Sequence, residues 1–244
     1  MSLFSEDFDC LAYDRLGFGN SIAEDEPIMN AFPSDYYGYC VFELARLVDD
    51  LKLENVILVG HSDGATISLI AASGIKSNMS SNTSEQNEAA DFLKSRVVAV
   101  VAESPHMWYD DTILKKGFET FINNVQSTER FWSSTMKEHQ NNKMLSEKIV
   151  QRWQNMWLKN SNIHKYDDRQ CLDHIKCPSL LIHGLKDPFF TEEHTKYIYN
   201  RLSKHSPSQY KLIEDAAHTP HRESKVLYNN AVLSFLKNVR PLLK

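Results

Sequence analysis

Asn55-Val56-Ile57-Leu58-Val59-Gly60-His61-Ser62-Asp63-Gly64-Ala65-Thr66-Ile67-Ser68-Leu69-Ile70-Ala71-Ala72 decides how this chain reads. Residues 55–60 form a continuous apolar run of strand length, the pattern of a parallel strand buried on both faces. Ala65 to Ala72 continues as a helix of small residues. Between them lies Gly60-His61-Ser62-Asp63-Gly64, a G-x-S-x-G pentapeptide. The pentapeptide alone is weak, because it occurs often by chance. A strand before it and a helix after it supply the setting of a nucleophile elbow, where the serine sits on a strained turn and its oxygen stands clear of the sheet. Side chains larger than Gly60 and Gly64 are expected to collide in that turn. The plainer alternative is an ordinary strand-to-helix turn that happens to contain a serine.

Upstream, residues 8–14 (Phe8-Asp9-Cys10-Leu11-Ala12-Tyr13-Asp14) alternate in part and are followed by Gly17 and Gly19, which predicts a strand and a tight loop. Asp35 to Leu51 carries Tyr39, Phe42, Leu44, Leu47 and Leu51 at helical spacing. Strand, helix, strand and helix in succession point to a parallel α/β sheet. Ser77 to Glu88 has almost no apolar residue and predicts a surface loop; Asn78 and Asn82 begin N-x-S/T matches within it. Residues 97–102 are a buried strand. From 107 to 172 there are no strand-like runs, only amphipathic stretches near 112–125, 129–140 and 146–159. All 4 tryptophans fall there: Trp108, Trp132, Trp153 and Trp157. Residues 179–184 restore the strand pattern, 191–202 read as a helix, 210–213 as a short strand and 225–239 as a closing helix. The expected organisation is a core of 1–106 and 173–244 interrupted by a helical insertion at 107–172. Asp110 and Asp111 at its start are expected to cap the helix beginning near Thr112.

A serine hydroxyl is a poor nucleophile until a base takes its proton, and the base is oriented by a carboxylate. On this fold the chain order is serine, acid, histidine. Asp187 follows the 179–184 strand, and His218 follows the last strand, both just beyond carboxyl ends where sites of parallel sheets form. The bland readings are a turn-forming Asp before Pro188 and an exposed loop histidine. The rival acid is Glu103 and the rival base His221.

The chain has 244 residues, 42% of them hydrophobic and 24% charged, which suits one soluble globular unit with a sizeable insertion. A net charge of −5 offers no basic excess to neutralise a phosphate backbone, so nucleic acid is not an expected partner. Mean hydropathy is −0.43, and no run approaches the ~18 apolar residues of a membrane span. The start, Met1 to Asp7, has neither the apolar core of a secretory signal nor the arginines of a transit peptide. Cys10, Cys40, Cys171 and Cys177 lack zinc-ligand spacing and read as free thiols in a reducing compartment. A cytoplasmic location is expected on these grounds, with no metal.

Four pieces of sequence carry a family resemblance: residues 13–21 (Tyr13-Asp14-Arg15-Leu16-Gly17-Phe18-Gly19-Asn20-Ser21), 60–65, 177–188 and 217–221. Together they resemble the α/β-hydrolase fold enzymes, and within them the biphenyl-hydrolase-like, valacyclovir-hydrolase-like group and related bacterial esterases and C–C bond hydrolases. The pieces span nearly the whole chain in the family's order. Asp63 after the nucleophile, rather than Met or Gln, narrows the likeness to that group. The resemblance implies a mostly parallel sheet flanked by helices with a helical cap at 107–172. It implies Ser62 as nucleophile, Asp187 as acid, His218 as base and the backbone N–H of Asp63 as an oxyanion donor, with no cofactor. A serine at 62 argues against the halide-releasing relatives, whose nucleophile is Asp.

In the family, the strand resembling 8–14 is preceded by the first three strands and a His-Gly loop that gives a second oxyanion donor. Nothing here matches that segment. A truncated gene model or isoform is the expectation, with a differently closed sheet and an inactive homologue as alternatives. The function expected is hydrolysis of a small ester, thioester or related acyl substrate through an acyl-enzyme. The alternative is a non-catalytic or truncated homologue that binds a ligand or a partner; an acyltransferase on the same triad stays open. His61, His106, Trp108, Trp153 and Trp157 are candidate pocket residues, although the tryptophans also suit plain packing of the insertion.

Overall fold

The computed structural model describes residues 4, 7–22, 36–78, 84–159 and 165–242, the side chains of 111–115 excepted. Helix α1 (Tyr36–Asp50) forms because Tyr37, Val41, Leu44, Ala45 and Val48 fall on one face, and all are buried. It leads into β1 (Val56–His61), α2 (Asp63–Ser73), α3 (Ser84–Arg96) and β2 (Val97–Glu103). Helices α4 (Asp111–Phe121), α5 (Glu129–Glu138) and α6 (Lys143–Gln154) follow, with π-helical turns after α4 and α6. The chain then runs through β3 (Ser179–Gly184), α7 (Glu192–Leu202), β4 (Ser208–Ile213), the single turn α8 (Pro220–Glu223) and α9 (Lys225–Val239).

The four strands form one parallel sheet in the order β1-β2-β3-β4. Side chains alternate across it with the two-residue period of strands. Ala99, Val101, Leu180 and Ile182 face α9, where they meet Tyr228, Val232, Phe235 and Leu236. Val100, Ala102 and Leu181 face the other way, into a larger core with α1, α2, Leu93 of α3 and Ile198 of α7. Both faces being covered explains why 97–102 and 179–184 are almost purely apolar. Parallel pairing also puts every carboxyl end at one edge. His61, Glu103, Gly184 and Ile213 therefore deliver their loops to one place.

Two expectations fail. Residues 8–14 are not a strand: among the described residues they pair with no strand, and Leu11 and Tyr13 are exposed. Only a bridge between Phe18 and Ser21 follows. A strand is defined by its neighbour, and β1 ends the sheet as described, so an alternating run has nothing to join. The polar stretch 77–88 is not all loop, because Ser84 already begins α3. Its apolar stripe, Ala89, Ala90 and Leu93, lies beyond the polar window and packs the helix down. Asn82 and the side chain of Asp111 lie outside the described residues.

Between β2 and β3 the described chain adds no strand to the sheet, only the α4–α6 helices, a 3₁₀ stretch at Arg169–His174 and one bridge, Trp108 to Asp167. No helix among the described residues is long and apolar enough to cross a membrane. All four cysteines are free thiols.

Candidate active site

β1 runs into Ser62, whose φ of 53° and ψ of −120° lie in a region that L-residues avoid. Ala65 and Thr66 both donate their N–H to the Ser62 carbonyl (2.9 and 3.1 Å), so helix α2 starts on the serine itself. The turn demands closeness at Gly60, where a Cβ would overlap the Gly64 carbonyl. Gly64 differs from expectation: a Cβ there meets nothing within 4 Å. The crowding is one-sided because Gly64 supplies backbone to the contact and points its own open side at the cavity. Gly60→Ala is therefore expected to cost about 2–3 kcal/mol of stability, and Gly64→Ala less than about 1 kcal/mol. Urea unfolding of both variants checks this; equal losses would overturn it.

Asp187 follows β3 by a tight turn whose Asp187 N–H donates to the Gly184 carbonyl (3.0 Å). Its carboxylate is fully buried. Oδ1 accepts the N–H groups of Phe189 and Phe190 (2.8 and 3.2 Å), and Oδ2 meets His218 Nδ1 at 2.8 Å. Burial by itself would raise this carboxyl; the neighbouring His218 and these N–H donors outweigh it and hold it below the ordinary value. Backbone contact joins the two loops as well. Lys186 N–H donates to the Ala216 carbonyl (2.9 Å), and Gly184 lies so close to Ala217 that a Cβ would strike its carbonyl.

The rivals Glu103 and His221 pair with each other, Oε2 to Nδ1 at 2.8 Å. Neither lines the cavity described next.

A cavity of about 470 Å³ opens at the carboxyl ends of the strands. Ser62, Asp63, Gly64, His61 and His218 form its floor, and Phe118, Trp153, Trp157, Phe189 and Phe190 are among its aromatic walls. Four of the five expected pocket residues, His61, His106, Trp153 and Trp157, line it. Trp108 does not: it stacks on His194 with ring centroids 4.1 Å apart, on the α7 side. Among the described residues no hydrogen bond joins Ser62 Oγ to His218, although both border the cavity; such contacts often tighten only with substrate present. A second surface hollow, of about 600 Å³, beside Asp173, Tyr197 and Arg201 holds an ion pair and no serine or cysteine.

Sequence reasoning missed the groups around Asp63. Its carboxylate accepts from Tyr36 Oη (3.2 Å) and Tyr37 Oη (3.1 Å) and lies 3.2 Å from His106 Nε2. Arg15 Nη1 reaches Tyr36 Oη at 2.5 Å. Burial pushes Asp63 up, but His106, Arg15 and Tyr37 outweigh it, and the carboxyl sits below its usual value. The signal available was the adjacent pair Tyr36-Tyr37 at the start of a helix, with Arg15 in the loop before it.

Several histidines are held neutral. Burial first, then the neighbouring His218, takes His61 down to about 3, and burial takes His194 to about 4 and lowers His183. Unfolded histidines titrate near ~6.5. Between that pH and the folded values the unfolded chain binds more protons, so stability falls as pH falls. Each such group costs about 1.4 kcal/mol per pH unit. Asp168 runs the other way: burial raises it to about 6, so from there downward the folded state takes up the proton first. With His139 also lowered by burial and Glu43 also raised by it, four histidines against two carboxylates leave a net loss. Asp63 and Asp187, both lowered, add their own loss further down, as pH falls through their folded values. Urea midpoints are expected to drop steadily from pH 7 to pH 4.5, and less steeply in His194→Phe; a flat profile would contradict the assignment.

The alpha/beta hydrolase fold family model matches residues 1–224, and the chain belongs to that family. It is 22% identical to human serine hydrolase BPHL over 235 residues, covering 94% of this chain and 70% of that protein. It is 26% identical to a proline iminopeptidase of Lactobacillus acidophilus over 233 residues, covering 87% and 75%. Among solved structures, a hydrolase from Oleispira antarctica superposes with a TM-score of 0.63 at 15% identity, covering 96% of this chain and 83% of that one. The carbazole-degradation serine hydrolase CarC gives 0.61 at 17%, covering 91% and 76%. At these identities the solved structures speak for the fold alone.

Proposed function

We propose that this chain is a serine hydrolase acting on a small ester, thioester or related acyl substrate. The observation that carries the reading is the buried Asp187 carboxylate 2.8 Å from His218 Nδ1, with His218 lining the same cavity as a serine held at positive φ on its strand-to-helix turn. Ser62 Oγ attacks the acyl carbon while His218 Nε2 takes its proton. Asp187 keeps the other ring nitrogen, Nδ1, protonated and stabilises the imidazolium that forms. The Asp63 N–H, in the first turn of α2 where helix donors lack intrahelical partners, faces the developing oxyanion. His218 then protonates the leaving group, and water, activated by the same base, releases the acid and regenerates Ser62.

The aromatic walls favour an aryl or other apolar substituent over a charged one. In this reading the 107–172 helices are a lid over the serine, and residues 1–106 and 173–244 the core. The likeness to a human serine hydrolase supports the class of chemistry. The free thiols suit a reducing compartment, and we assign the reaction to the cytosol.

The test is fluorophosphonate labelling followed by intact mass and peptide mapping. One adduct, on Ser62, is expected. A folded chain that takes no adduct would sink the hydrolase reading in favour of a ligand-binding homologue.

A further inference from the structure

Glu103 is a buried carboxylate, 1% exposed, at the carboxyl end of β2. A charge in that position is costly unless its oxygens are satisfied. Both are satisfied by one residue: Oε1 accepts the His221 backbone N–H (2.8 Å), and Oε2 meets His221 Nδ1 (2.8 Å). His221 stands three places after His218. The backbone of the same Glu103 turns the other way, its carbonyl accepting the Ser62 N–H (2.9 Å). One residue thus holds the nucleophile by its main chain and the base loop by its side chain.

We infer that the Glu103–His221 pair is a positioning clamp that sets the distance between Ser62 and His218. The inference rests on the serine hydrolase reading above. Asp187 fixes the tilt of the His218 ring, but a side-chain bond to Nδ1 leaves the main chain of the loop free to slide. On the β3 side that chain is held by Lys186 and on the outer side by Glu223, whose carboxylate accepts the N–H groups of Ala217 and Thr219. On the nucleophile's side it is held by Glu103. Two further donors converge on the His218 carbonyl: His61 Nε2 at 2.7 Å and Ser104 Oγ at 3.3 Å. His61 immediately precedes Ser62, Ser104 immediately follows Glu103, and the His61 and His221 rings lie 5.1 Å apart. Glu103 and His221 are both absent from the cavity wall, so they act through the loop and do not touch substrate.

The experiment compares the parent with His221→Phe, which keeps a ring and loses the Nδ1 donor, and His221→Asn, whose amide restores a donor near the same point. Glu103→Gln is the third variant. His221 is partly exposed, so its variants are the ones expected to fold if Glu103→Gln does not. The readouts are kcat and KM for p-nitrophenyl acetate and the rate of fluorophosphonate labelling. His221→Phe is expected to lose about 10- to 100-fold in kcat and labelling rate, the scale of a 1 Å misplacement, with KM unchanged. His221→Asn is expected to recover to within about 3-fold of the parent. Parent-like kcat in His221→Phe, even with lowered thermal stability, would overturn the clamp while leaving the hydrolase reading intact. A folded parent that neither labels nor turns over substrate would overturn both.

Discussion

Ser62→Ala is expected to lower kcat for p-nitrophenyl acetate by roughly 10⁴- to 10⁶-fold and to abolish fluorophosphonate labelling, the scale seen when a triad nucleophile is removed. Nothing else on the cavity floor replaces it. His61 has its Nε2 committed to the His218 carbonyl, and Asp63 has its carboxylate committed to Tyr36, Tyr37 and His106. The fold should survive, because Ser62 contributes backbone to the turn and an alanine meets the same positive φ with a side chain of similar size. A residual rate from the oxyanion donor and binding alone should remain. Thermal unfolding beside the kinetics separates lost chemistry from lost structure. Turnover within tenfold of the parent in a folded Ser62→Ala would assign the reaction to another group.

Asp187→Asn is the second large effect, roughly 10⁴-fold in kcat with KM little changed. The variant keeps its shape: its carbonyl still accepts from Phe189 and Phe190. Its amide NH₂ then faces His218 Nδ1, where the carboxylate accepted a hydrogen bond with N and O 2.8 Å apart. The ring answers by moving its proton to Nε2, which removes the lone pair that should take the Ser62 proton. The ground-state cavity is untouched, so binding persists while the transition state loses both base and counter-charge. Because the Asp187 carboxyl is held below its usual value, its charge is complete across the neutral range, so the deficit should be constant from pH 6 to pH 8. A loss that appears mainly in KM would mean that Asp187 shapes the pocket instead.

Much of the architecture was legible beforehand because it rests on local pattern. The runs 97–102 and 179–184 announce strands since a parallel sheet covered on both faces tolerates little else there, whereas 55–60 forms its strand at the end of the described sheet, half-buried and with Val59 exposed, and is not the doubly covered strand its composition suggests. The spacing in 35–51 announces α1, but of the residues read as its apolar face only Leu44 is buried; Tyr37, Val41 and Val48 bury the helix, while Tyr39, Phe42 and Leu47 are half-buried and Leu51 is exposed. The failures have a common cause, which is that they depend on a neighbour. Residues 8–14 carry strand-like composition but find no strand to pair with among the described residues. α3 is polar over its first turns and is held by Ala89, Phe92 and Leu93 packing into the core with α1 and α2.

The site divides along the same line. The sequence by itself determined the Ser62 turn, because a strand, two glycines and a small-residue helix specify it within a dozen residues. It also determined which four side chains compete to serve that serine, since Asp187, His218, Glu103 and His221 all follow strand ends. Only the tertiary structure decided how they divide: Asp187 with His218 across 31 residues and Glu103 with His221 across 118. Those distances along the chain are closed by strand order in the sheet, which sets β4 beside β3 and β3 beside β2 with their carboxyl ends at one edge. The same packing sent Trp108 to His194 instead of the cavity and gathered Tyr36, Tyr37, His106 and Arg15 around Asp63. A hydrogen bond of 2.8 Å is a three-dimensional coincidence of two loops, and no spacing within either loop encodes it.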